Sequence, residues 1–347
     1  MNSVWKTFLE SQSARIDDAD KVHFPDAPVE ADCALMDLSL LGHIAVSGPE
    51  AESFLQGQVT HDVTCLSPAV SQFGSHCSPK GRMLASFRAF RQDYTIYLQL
   101  PRTQVKVVTQ RLRMYLLRAK ATIEDASERF IAIAVAGSCT PSLLASCLDA
   151  VPTRGNEVTR DGELITIRIP GPTPRFQLLG GPAPAALEGL WDDLATTATV
   201  VNADFWSLLD IRAGIPTIYR QTSDAFVPQM ANLHLLDGVV SFKKGCYTGQ
   251  EVIARMQYLG KLKRRMYLAQ VSTDHPPVPG DTLHAVSGRS EQAIGRVVDA
   301  RVNGKGDYEL LAVAEIKAAE HGEVMLFGPD GPLLSFHDLP YGFPGSD

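Results

Sequence analysis

The chain lacks the signatures that announce most enzyme classes. It has no GxxxxGK[ST] phosphate loop, no GxGxxG, no HExxH and no GxSxG, so the motif-borne nucleotide, zinc-protease and serine-hydrolase readings fall away. Its histidines form no HxH or HxxxH pair, and no metal site is assigned. The six cysteines, Cys33, Cys65, Cys77, Cys139, Cys147 and Cys246, contain no CxxC and no regular framework. Scattered cysteines of this kind suggest free thiols in a reducing cytoplasm. No run nears the roughly twenty apolar residues of a membrane helix, so no membrane partner is expected. The opening residues have early acids and no apolar core, and do not read as a signal peptide. The net charge of −7 argues against coating nucleic acid by bulk electrostatics, and no stable direct nucleic-acid binding is expected.

What is present is a soluble, globular composition, 45% hydrophobic and 20% charged over 347 residues. That length suggests two or three structural units. Residues 1–30 are polar and Pro-containing and read as an N-terminal helix or arm outside the core. "SGPEAESFLQGQ" reads as a helix with Ser47 or Gly48 as cap, Pro49 in its first turn and Gly57 as stop. "QFGSHCSPKGRMLASFRAFRQDYTIYLQL" reads as a meander turning at Ser78–Gly81. In "PRTQVKVVTQRLRMYLL", Val105, Val108, Leu112, Tyr115 and Leu116 recur at helical spacing.

From about 129 to 202 the order is strand, helix, strand, strand, helix, strand, which suits a ferredoxin-like α+β unit. "NADFWSLLDIRAGIPTI" reads as a helix capped by Asn202 and stopped at Gly214. After residue 261 the helical signal fades into short runs divided by Gly, Pro, Asn and Asp, the pattern of a small antiparallel β-barrel over 261–340.

The stretch "FKKGCYTGQE", Phe242 to Glu251, concentrates chemistry. Cations beside a cysteine favour its thiolate, and Lys243 and Lys244 neighbour Cys246. Gly245 and Gly249 allow a sharp turn and close approach. Local chemistry leaves two readings open: a working thiol, or a small buried hydrophobe in a turn. Glu251 and Arg255, four apart on the helix expected from Gly249, read first as an i,i+4 ion pair. "GKLKRR", Gly260 to Arg265, reads as a solvated strand edge or as a local phosphate or nucleic-acid contact.

"KGCYTGQE" followed by "RMQYLG" resembles the signature of the YgfZ family of folate-binding proteins, related to the aminomethyltransferase (T-protein) of glycine cleavage. "GPEAESFLQGQVTHDV", "HCSPKGRMLASFR", "DIRAGIPTI" and "FVPQMANL" match the family's flanking segments in order, so the resemblance spans nearly the whole chain.

It implies an α+β fold: a T-protein-like ring of two interleaved α+β subdomains, one ferredoxin-like, over 31–260, plus the C-terminal antiparallel β-barrel. It implies tetrahydrofolate or a related folate as ligand, and a cytoplasmic role in iron–sulfur cluster assembly or repair. Through iron–sulfur client enzymes that role reaches tRNA methylthiolation. The implied working residues are Cys246, kept deprotonated by Lys244. The implied ligand residues are Trp206, offering an indole face to the pterin, with Asn232, Tyr247, Gln250, Glu251 and Arg255; Arg212 and Arg220 are candidates for the carboxylates. Two departures stand out. The transferase's Pro-x-Glu reads Pro228-Gln229-Met230 here, and its early helical acid aligns with Lys106. A folate-dependent one-carbon (aminomethyl) transferase or demethylase, and a non-catalytic folate-binding scaffold, are the alternative functions.

Overall fold

The Ser3–Ser11 helix begins where Asn2 caps it, its side-chain oxygen accepting from the Val4 and Trp5 amides at 3.0 and 3.1 Å. Trp5 and Leu9, four apart, lie on one face and are fully buried. They enter a core that includes Phe176, Trp191 and Leu194, with Trp5 edge-on to Trp191. The expectation of an arm outside the core is therefore corrected: its polar composition belongs to the helix's outer face.

The computed structural model describes residues 1–17, 20–286 and 292–343. It divides into two compact units, each assembled from three stretches of chain. One holds Met1–Glu52, Cys65–Gln72 and Arg88–Ser207; the other holds Ser53–Thr64, Phe73–Phe87 and Leu208 onward. Among the described residues no helix is long and apolar enough to cross a membrane.

The first unit carries the ferredoxin-like element order. Its strands are Ile131–Gly137, Leu164–Arg168, Arg175–Gly180 and Thr199–Val200, with helices Thr140–Cys147 and Ala185–Ala195. The sheet has six strands rather than four. Val158–Asp161 adds at one edge. Cys33–Asp37 inserts between Ile131–Gly137 and Thr199–Val200, antiparallel to the first and parallel to the second. Local sequence cannot reveal this insertion, because Cys33–Asp37 finds its partners about 100 and about 165 residues away. A second sheet pairs Leu41–Ser47 with Thr95–Pro101 and Thr122–Asp125. The Arg102–Arg113 helix buries Val105, Val108 and Leu112, as its spacing predicts, while Tyr115 and Leu116, expected on the same helix, lie in the turn beyond its end and are half-buried.

The expectation of six free thiols is also corrected. Cys33 and Cys139 form a disulfide with Cα atoms 5.8 Å apart. Cys33 pairs with Gly137 across the sheet, and the chain turns after Gly137 to bring Cys139 back beside it. Cys65, Cys77, Cys147 and Cys246 are free.

The second unit ends in a six-stranded antiparallel sheet, curled as a half-barrel. Its central strands, Arg264–Val271, Tyr308–Glu315 and Gly295–Val302, pair over nearly their whole lengths. The sixth strand, Ser335–His337, was not foreseen; it borders Leu268–Gln270. A core of Cys77, Met83, Ile211, Phe226, Tyr247, Ile253 and Met266 joins this sheet to the loops of the Cys246 region.

Candidate functional site: the Cys246 loop

Residues 241–249 form no regular element, yet nearly every one is anchored. The Ser241 amide donates to the Thr60 carbonyl at 2.9 Å. The Ser241 hydroxyl accepts from the Lys244 amide at 3.2 Å. The Thr248 amide donates to the Gly57 carbonyl at 3.1 Å. Tyr247 is buried in the core. Gly249 has φ +82°, and a Cβ there would stand 2.5 Å from the Ser78 carbonyl oxygen and 2.9 Å from the Gly81 Cα. Only glycine combines that left-handed backbone with so close an approach. The Gln250–Tyr258 helix then begins, with Ile253 buried beneath it.

Lys244 is the keystone. Its side chain is 9% exposed, and its Nζ donates to the carbonyls of Gln56, Val59 and His61 at 2.8, 2.6 and 2.7 Å. It also lies 4.8 Å from the Tyr247 ring centroid. The Gln56 carbonyl closes the Ala51–Gln56 helix, where a cation is favoured. Burial lowers the ammonium pKa to about 8, while the three carbonyl acceptors favour its charged form. An ammonium has three N–H donors, and all three are committed. The bonds of the Lys244 ammonium go to a turn 183 to 188 residues away in sequence, and among the described residues none of them goes to Cys246.

Cys246 itself is exposed, as are Lys243 and Gly245. The reading of a small buried hydrophobe is thereby removed. Cys77 is the thiol that fits that description: it is buried, and burial pushes its pKa up to about 12.

The expected ligand residues separate into groups. Gln250 is half-buried at the start of its helix, while Glu251 and Arg255 are exposed. No ion pair joins Glu251 to Arg255 among the described residues, so the expected brace is absent there. Asn232 is fully buried with φ +60°; its Nδ2 donates to the Met266 carbonyl at 2.9 Å. Gln229, which the family resemblance sets against the transferase's glutamate, is also buried, and its Nε2 donates to the Ile253 carbonyl at 2.7 Å. The Oδ1 of Asn232, the Oε1 of Gln229 and the hydroxyl of Tyr247 are buried with no hydrogen-bond partner among the described residues. Arg212 is held by Glu309 at 2.7 and 2.9 Å.

Trp206 belongs to the first unit. It is 5% exposed, and the Arg175 guanidinium lies 5.0 Å from its ring centroid. The open indole face expected for a pterin is already covered. Sequence reasoning missed Gln56, Thr60 and His61, whose backbone oxygens organise the loop. No side-chain signal marks a backbone acceptor.

These observations test the fit of a folate. A pterin edge is rich in N–H donors, and unpartnered acceptors at Gln229 and Asn232 suit it. Trp206 as a stacking platform does not. Among the described residues no group of three or more His, Cys, Asp or Glu side chains is placed to hold a metal ion.

Comparison with known proteins decides the family. The chain is 31% identical over 318 residues to the tRNA-modifying protein YgfZ of Escherichia coli O45:K1, covering 91% of this chain and 96% of that protein. The chain belongs to the YgfZ family. The YgfZ protein of Shigella boydii serotype 18 matches with the same identity and coverage. The GCVT N-terminal domain model matches residues 26–158. The crystal structure of the glycine cleavage system aminomethyltransferase T from Bartonella henselae superimposes with a TM-score of 0.70 at 15% identity, covering 90% of this chain and 87% of that one. The YgfZ-family chain thus shares the T-protein fold while lacking a carboxylate at Gln229.

Proposed function

We propose that this protein is a cytoplasmic, folate-binding accessory factor in tRNA modification, serving iron–sulfur enzymes of methylthiolation, with Cys246 as its working thiol. One observation carries the thiol's role. Cys246 is exposed on a loop whose other members are fastened by a triply bonded ammonium, a buried tyrosine and a glycine that admits no side chain. Such a loop holds a thiol toward solvent at low entropic cost on binding a partner. The names of the relatives support the tRNA-modification role. The T-protein fold and the unpartnered acceptors of Gln229 and Asn232 support tetrahydrofolate as the ligand. A lone thiol does not hold an iron–sulfur cluster by itself, so Cys246 acts as one ligand to a shared cluster or in thiol exchange with a client.

A one-carbon transferase is disfavoured. Gln229 presents an amide where the transferase presents a carboxylate, and Lys106 is exposed at the other expected acid.

The test pairs two readouts. Calorimetric titration measures tetrahydrofolate binding by the wild type and Cys246→Ser. Methylthio-modified nucleosides in tRNA are measured in a bacterial strain lacking its own YgfZ-family protein, after each variant is supplied. The expected result is unchanged folate binding and melting temperature for Cys246→Ser, with lost modification. Full modification with Cys246→Ser would favour the scaffold reading. Absence of saturable binding by the folded wild type would remove folate from the proposal.

A further inference from the structure

From Lys243 to Arg265 the chain carries seven cations, with Glu251 as the only acid, in a protein whose net charge is −7. Three of the seven are committed. Lys244 is bonded to the 56–61 turn. Arg264 stands opposite Glu315 across its strand pair. The Arg265 guanidinium lies 4.1 Å from the centroid of the Phe343 ring. Lys243, Arg255, Lys261 and Lys263 are exposed, and among the described residues no ion pair or side-chain hydrogen bond holds them.

The same stretch carries an apolar tip. Tyr258 and Leu259, at the end of the Gln250–Tyr258 helix, are 68% and 85% exposed. Apolar residues scattered singly over a surface are ordinary. These two are adjacent, with Arg255 three residues before Tyr258 on the same helix face and Lys261 two residues after Leu259.

The tip is held in place. The Leu259 amide donates to the Arg255 carbonyl at 2.9 Å. A Cβ on Gly260 would stand 2.8 Å from the Met256 Cα. The Tyr258 ring meets that of Phe242 with centroids 6.0 Å apart. Phe242 begins the loop that carries Cys246 four residues on, and four residues span at most about 14 Å. A standard interface takes about 800 Å² from each partner, a patch about 16 Å in radius. One such patch takes in both Leu259 and Cys246, which belong to the same unit.

We propose that this surface docks a client protein through an apolar pocket with an acidic rim. Tyr258 and Leu259 enter the pocket, and Arg255, Lys261 and Lys263 meet carboxylates on the rim. A tyrosine beside an arginine is the usual make-up of an interface anchor, and the outer charges steer the encounter. Leu259 selects a protein over a nucleic acid. Cations and a tyrosine ring serve phosphates and bases well, but an aliphatic side chain neither stacks nor hydrogen-bonds, and only an apolar pocket takes it out of water. The fixed tip lowers the ordering cost of docking. The inference rests on the reading of Cys246 as a thiol that acts on clients, and adds where the client is held.

The test measures how fast Cys246 of the full-length protein reacts with short peptides whose single cysteine is activated as a thiopyridyl disulfide. The Cys246 thiolate attacks the peptide sulfur, the bond from that sulfur to the thiopyridine breaks, and the thiopyridone that leaves is read by absorbance. Cys246→Ser gives the background from the other free thiols. One peptide sets leucine among aspartates and glutamates, a second replaces that leucine by serine, and a third sets leucine among lysines. At low salt the acidic leucine peptide is expected to react about tenfold faster than the lysine peptide, or more, and the difference should shrink at about 0.5 M salt. Lys261→Glu with Lys263→Glu should remove the preference. Leu259→Ser should slow the acidic leucine peptide about threefold or more and leave the serine peptide unchanged. Melting curves, and the rate with a small uncharged disulfide, confirm that each variant is folded with an unaltered thiol. Equal rates for the acidic and lysine peptides, or a preference that survives the double charge reversal, overturns the proposal. So does a single-stranded oligoribonucleotide that binds more than about tenfold tighter than the unactivated acidic peptide and loses that affinity in the double variant; the surface then belongs to RNA. The two readings fail separately. Full tRNA modification with Cys246→Ser removes the working thiol and leaves the peptide preference standing, whereas a lost preference with an unimpaired thiol removes the docking surface alone.

Discussion

The ammonium of Lys244 donates to the carbonyl oxygen of His61 at 2.7 Å, and with Gln56 and Val59 it draws the 56–61 turn onto the Cys246 loop. The cation that stands two residues before the thiol therefore closes the loop. It does not leave a spare proton donor for the sulfur.

Lys244→Met accordingly tests position against chemistry. The substitution strands three carbonyls, two of whose bonds are buried. Stability is expected to fall by about 2–4 kcal/mol, read from urea denaturation. The rate at which native Cys246 reacts with a soluble disulfide reagent should change less than threefold while the protein remains folded. A tenfold slower thiol with unchanged stability would return Lys244 to the role of thiolate partner.

The Cys33–Cys139 bridge closes a loop of 106 residues. A loop of that size is expected to contribute about 2–5 kcal/mol, chiefly by restricting the unfolded chain. Denatured, unreduced protein should show four reactive thiols, those that remain free, and reduction should lower the melting temperature. Six reactive thiols before reduction would show that the bridge does not form in solution.

Acid stability follows from buried groups of opposite sign. Burial pushes the carboxyls of Asp37 and Asp299 up to about 6. The folded state therefore binds more protons than the unfolded chain between about pH 4 and 6, and these groups' contribution falls as pH rises through that window. Burial pushes His43 and His61 down to about 3. They stay neutral in the fold while the unfolded chain protonates below about 6.5, so their contribution is lost as pH falls. The histidine shifts are the larger, and net destabilisation on acidification from pH 7 to 4.5 is expected. His61→Gln should reduce the loss between those two pH values, measured as the difference in urea midpoints. An unchanged difference would mean that His61 is not held neutral in the folded protein.

How much of this was legible beforehand depends on the range of the interaction. Helical spacing placed Val105, Val108 and Leu112 on one buried face. Turn chemistry at Ser78–Gly81 is realised in the Gly81 amide's bond to the Ser78 carbonyl at 2.8 Å. The strand runs after residue 261 became the paired strands of the C-terminal sheet. Each of these depends on residues within one turn or one strand, where period and backbone propensity suffice.

The tertiary structure decided the rest. The polar N-terminal segment hides Trp5 because its partner Trp191 lies far along the chain. Cys33 and Cys139 meet because strand pairing returns the chain to itself. Trp206 is covered by Arg175. Lys244 faces carbonyls nearly two hundred residues upstream, and Cys246, two positions on, faces solvent. Sequence by itself determined the element order and the family motif, because local propensity and residue identity are written there. Which side chain is spent on packing and which is left exposed depends on groups that only folding brings together, many of them backbone oxygens that no residue type reveals.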